Sequence, residues 1–94
     1  MDELSSAVDF RPRSRTLIMG GIRWLPRIAD KARAHLQGTI GDYIYPCPAD
    51  KKFLEELGIT ADEFTAIVAS CATDDEVVAR VRPIYEKAQE KKRA

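Results

Sequence analysis

The usual ingredients of a reactive or metal-holding site are scarce in this sequence. There is one histidine, His35, and the two cysteines, Cys47 and Cys71, form no C-x-x-C pair, so neither a zinc ribbon nor a dithiol redox motif is written here. These three soft ligands fall short of the four that a structural zinc takes, and no D-x-D-x-D-G loop seats a harder cation. No metal and no cofactor is expected. No apolar run nears the roughly 18 residues of a membrane helix, and residues 1–10 open with acids where a secretory leader has a basic start and an apolar stretch. The expected setting is therefore the cytoplasm, with free thiols and no membrane contact.

Net charge is also missing, at zero over 94 residues, which disfavours a nucleic-acid partner. The signs are nevertheless segregated. Arg11, Arg13, Arg15, Arg23, Arg27, Lys31 and Arg33 face only Asp30 in their stretch, whereas acids dominate residues 42–76. Such halves either pair with each other in the fold or leave a basic end that holds an anion.

What the chain does have is periodicity. Trp24, Leu25, Ile28, Ala29, Ala32 and Leu36 recur at spacings of three and four, predicting a helix over 26–37 that starts at Pro26 and stops at Gly38. KARAH, residues 31–35, then runs along its inner side. Pro48 opens a second helix over 48–57, ended by Gly58, with Phe53, Leu54 and Leu57 on its apolar face. Thr60-x-x-Glu63 is a capping box before a third helix over 61–70, whose stripe includes Phe64, Ile67, Val68 and Cys71. Thr73-x-x-Glu76 repeats the device before a last helix carrying Val77, Val81, Ile84 and Tyr85. Pro83 lies inside that helix and either kinks it or splits it after Arg82.

The expectation is one all-α domain over 1–94, four to five short helices around one core. Residues 1–11 are expected to be flexible and 89–94 to fray. Between the first two helices, residues 39–47 form an ordered loop whose path is set by Gly38, Gly41, Pro46 and Pro48 and which Tyr43, Ile44 and Tyr45 pin to the helices.

The motifs PRS, then GG, then LPR-x-x-DKARAHL-x-GT-x-GDYIY-x-CP-x-D and FLE-x-LGI, spread from Pro12 to Ile59, resemble a bacterial family known only as domain of unknown function 5069. The similarity extends to about Val81. It implies a small, mainly α-helical protein of bacterial type and supplies no activity and no functional residues.

Three readings of function follow from the residues. The leading one is a small regulatory or protein-interaction module that binds a partner or a second copy of itself, with Trp24 and Tyr85 at the contact. The alternative is anion binding by the arginine-rich 11–33 segment; the candidate ligand residues are Arg15, Arg23, Arg27, Lys31, Tyr43 and Tyr45. The Gly20-Gly21 pair within it has neither the phosphate-loop nor the dinucleotide pattern. The third is cysteine catalysis, with Cys47 as nucleophile at a helix start, His35 as its base, and Asp42 or Asp50 orienting the imidazole. An enzymatic role is the least favoured of the three.

Overall fold

Two adjacent glycines shape the first element of the computed structural model, which describes residues 10–93. Gly20 and Gly21 both have positive φ, 60° and 79°, the geometry a two-residue hairpin turn needs to match strand twist. They join β1 (Ile18–Met19) to β2 (Ile22–Arg23) as an antiparallel pair, Ile18 opposite Arg23 and Met19 opposite Ile22. The hairpin is an addition to the all-helical expectation. Gly20 is also required for space: a Cβ there would lie 2.4 Å from Val78 Cγ1.

Four helices follow, α1 (Leu25–Gln37), α2 (Pro48–Leu57), α3 (Ala61–Ala69) and α4 (Asp74–Arg93). Gly38 ends α1 and Gly58 ends α2, each in the left-handed conformation with its N–H returned to the last turn. Both sequence-predicted capping boxes are formed: Thr60 with Glu63 before α3, and Thr73 with Glu76 before α4. A third box was not anticipated. Cys47 Sγ accepts from the Asp50 N–H at 3.4 Å while Asp50 Oδ2 accepts from the Cys47 N–H at 3.1 Å, so a thiol takes the place usually held by a hydroxyl.

The core is the meeting of these elements. Ile22, Leu25, Ile28, Phe64, Val77 and Val81 are fully buried, with Leu54, Leu57 and Val68 nearly so. α1 packs most extensively on α3, α4 rests on α2 and α3, and β1 lies along α1. Fully burying one such side chain stabilises by about 1.5–3 kcal/mol relative to exposure, so this shared core holds the short helices together.

Three expectations are corrected. Pro83 does not split the last helix, which runs unbroken from Asp74 to Arg93; Ala79 is exposed, so water can take the place of the missing N–H partner at its carbonyl. The helix is described as far as Arg93, while Ala94 and residues 1–9 of the expected flexible start lie outside the described residues. The loop between α1 and α2 is pinned to the core by Tyr45, whose hydroxyl hydrogen-bonds Thr65 Oγ1 at 2.7 Å and whose ring packs on the core, whereas Tyr43 meets Arg27 of α1 at the surface and Ile44 is 67% exposed. His35 is the third. It faces solvent on α1 while Lys31, Ala32 and Ala34 of the same KARAH run are buried.

Candidate functional site

Lys31 and Asp50 are the buried charges among the described residues, at 2% and 0% exposure, and they meet at 2.6 Å. Lys31 comes from the inner face of α1 and Asp50 from the third position of α2. The same carboxylate accepts the Trp24 indole N–H at 2.8 Å and the Cys47 N–H at 3.1 Å. Burial opposes charge on Asp50, but hydrogen bonds from Lys31, the indole and the Cys47 N–H outweigh it and hold the carboxyl below its ordinary range. A buried carboxylate with three donors has three of its roughly four acceptor sites filled and is well satisfied where it stands.

What this node does is hold Trp24. The residue precedes α1 with φ 79°, a left-handed conformation that is strained for a bulky side chain. Its indole, anchored on Asp50, carries the guanidinium of Arg15 and that of Arg27, each carbon 5.9 Å from the ring centroid. Arg27 is also 5.9 Å from the Tyr43 ring, which meets Phe10 edge-on at 5.6 Å. The result is a cationic and aromatic face built from the hairpin, the start of α1 and the 38–47 loop.

The basic segment therefore divides. Arg13 binds Asp30 through its backbone N–H and its guanidinium and reaches Asp74 at 2.9 Å, while Arg33 bonds Asp74 at 2.7 Å, so these two arginines pair inside the fold. Hydrogen bonds to Asp30 and then Asp74 raise the Arg13 guanidinium above its usual range, and Arg13 in turn keeps Asp74 low. Lys31 is withdrawn from solvent by Asp50, which sets it apart from the surface anion ligands it was grouped with. Arg11, Arg15, Arg23 and Arg27 have no carboxylate partner among the described residues.

Two shallow depressions flank Trp24. One, of about 380 Å³, is lined by Arg15, Thr16, Arg23 and Trp24; the other, of about 290 Å³, by Arg23, Trp24, Ala49, Lys52, Phe53 and Glu56. A larger groove of about 630 Å³ between α2 and α4 has Leu57, Ile59 and Ile84 on its floor, Glu55 on one wall and Lys87 and Lys91 on the other. No buried polar group converges on that groove, so the Trp24 face is the better site candidate.

The remaining candidates are placed differently. His35 lies against the Tyr45 ring, centroids 5.4 Å apart, and no hydrogen bond joins it to Cys47 among the described residues. Cys47 Sγ is occupied as the cap of α2, and Asp50, considered as a support for His35, serves Lys31 and Trp24 instead. Tyr45 belongs to the core side of the loop, where burial, eased by the Thr65 hydrogen bond, raises its phenol. Both cysteines are free, and no three His, Cys, Asp or Glu side chains converge as metal ligands among the described residues. Among the described residues, no helix is long and apolar enough to cross a membrane.

Sequence reading missed the Lys31–Asp50–Trp24 node, although two signals pointed to it. Lys31 stands one heptad after Trp24 and three residues after Ile28, on the apolar stripe where a charge needs a partner. Cys47-Pro-Ala-Asp50 also has the spacing of a capping box.

A family model described as Domain of unknown function (DUF5069) matches residues 10–94. No curated protein matches the chain.

Proposed function

The chain belongs to the DUF5069 family, and from that premise we propose that it is a small protein-interaction module whose working surface is the Trp24 face, where an anionic group of the partner is held. The observation that carries this reading is that two guanidiniums rest on one indole that is itself tied to a fully buried carboxylate. Cations held in place lose less freedom on binding. Trp24 holds a left-handed backbone conformation, and strain of this kind clusters at binding sites. Apolar Ile18, 59% exposed and cross-strand from Arg23, adds a hydrophobic rim. Two free thiols fit a reducing, cytoplasmic setting.

Trp24 is the only tryptophan, so its fluorescence reports directly on the site. Titration with pyrophosphate and citrate at low and high salt is expected to give a saturable change that weakens as salt rises. Arg15→Ala with Arg27→Ala together should weaken it further. No saturable change with any anion at low salt would sink the reading.

A further inference from the structure

We infer that the Trp24 face takes an acidic peptide segment of a partner protein, one whose carboxylates flank an apolar side chain; this rests on the proposed reading of the face as an anion-holding surface. The two depressions adjoin, because Arg23 and Trp24 line both. Together they make a trough that runs from the hairpin to the exposed side of α2. Arg15 stands at one end, Arg23 in the middle and Lys52 at the other. Between the cations lie Ala49, Phe53 and the indole edge, and Ile18 borders Arg23 on the neighbouring strand.

Charge complementarity selects the occupant. Arg15, Arg23 and Lys52 have no carboxylate within ion-pair distance among the described residues, so each can meet one from outside. The apolar surface between them is too small for a whole helix face, but each depression holds one or two side chains. An extended or single-turn segment with an acid, an apolar residue and further acids matches that order of sites.

A nucleic-acid backbone matches less well. The cations are few and the chain as a whole is neutral, so long-range attraction to a long polyanion is weak. Base stacking is also disfavoured, since the Trp24 ring is already approached by two guanidiniums. A carboxylate needs only the N–H groups of those same arginines.

The test uses the whole chain and Trp24 fluorescence, with isothermal calorimetry as a second readout. The probes are a synthetic peptide of glutamates around a central leucine, its glutamine-for-glutamate and serine-for-leucine versions, an oligothymidylate and pyrophosphate. The glutamate–leucine peptide is expected to bind most tightly, with the serine version several-fold weaker and the glutamine version showing no binding. Arg23→Glu and Lys52→Glu, both at exposed positions, should each weaken it about tenfold or more while thermal melting stays unchanged. Tighter binding of oligothymidylate or pyrophosphate than of the peptide overturns this inference and leaves the anion-holding face standing. Peptide binding that ignores Arg23→Glu and Lys52→Glu overturns the placement in the trough. Failure of every probe, the small anions included, overturns both.

Discussion

Helix α1 carries two sets of opposite charges that behave as different physical objects. On its inner side Lys31 meets Asp50 in full burial, one ammonium and one carboxylate with two further donors. On its outer side Arg13, Arg33, Asp30 and Asp74 form a branched cluster, of which Asp74 is 37% exposed. The outer set is only part-buried, its side chains 19% to 37% exposed, so salt and water reach it more than the inner pair and its members contribute less apiece. The inner pair adds little net stability when intact, yet removing one partner strands the other in an apolar core. That contrast teaches that a buried ion pair can act as a positioning device: it fixes α1 against α2 and aims the indole of Trp24.

The largest expected break comes from Asp50→Ala. It leaves the Lys31 ammonium, the indole N–H and the Cys47 N–H without their acceptor, a loss of about 3–5 kcal/mol against a total of about 5–15 for a domain. Urea unfolding measures it, and a loss under about 1 kcal/mol would erase the distinction between the two regions. Lys31→Met is expected to cost less, about 1–3 kcal/mol, because Asp50 keeps its other donors and can take a proton. Adding Asp50→Leu to Lys31→Met should cost less than Asp50→Ala alone, since no unpaired charge remains; a simple sum of the single effects contradicts this.

Acid sharpens the comparison next. Asp50 and Asp74 both sit below the ordinary carboxylate range in the folded state, so their contribution is fully present above the unfolded value of about 3.9 and disappears as pH falls through the lower folded values. Stability is expected to drop below about pH 4. High salt should leave the part due to Asp50 and diminish the part due to Asp74, which acid melts at two salt concentrations separate.

Asp74→Ala alone is worth about 0.5–1 kcal/mol at low salt, near the upper end for a solvated pair because both Arg13 and Arg33 use it, and less at high salt. The smallest effect belongs to Arg82→Ala, which removes one exposed i, i+4 bridge to Glu86 on α4 and should change the melt by less than about 0.5 kcal/mol. If Arg82→Ala costs as much as Asp74→Ala, the outer cluster is no more than a set of isolated pairs.

Legibility in the sequence followed the range of the interaction. The Thr60 and Thr73 boxes, the glycine stops at Gly38 and Gly58, and the stripe from Leu25 to Ala32 were readable because each depends on groups within a turn or two. At Pro83 the local rule left a kink or a split open, and the packing of Val77 and Val81 before it and of Ile84 and Tyr85 after it keeps the helix in one piece. The hairpin was missed because its strands are two residues long, too short for alternation to register. Tyr43, Ile44 and Tyr45 read alike as loop anchors, and only the fold separates Tyr45, bonded to α3, from Tyr43, which meets Arg27 at the surface, and from Ile44, which is exposed.

The candidate site was legible in parts. Charge singles out Arg15, Arg23 and Arg27, which the fold brings beside Trp24, while Tyr43 meets Arg27. Lys31 was grouped with them on charge alone. Its partner lies 19 positions away on another helix, and no local pattern states which lysine of a basic segment turns inward.

By itself, then, the sequence determined a fold of four to five helices, most of their starts and stops, and the supply of charge, since these rest on backbone hydrogen bonds and side-chain periods that short stretches satisfy alone. Only the tertiary structure decided which charges are buried, which are paired and which face solvent. The reason is physical: the cost of a charge depends on the dielectric and donors around it, and those come from elements that meet only when the chain has folded.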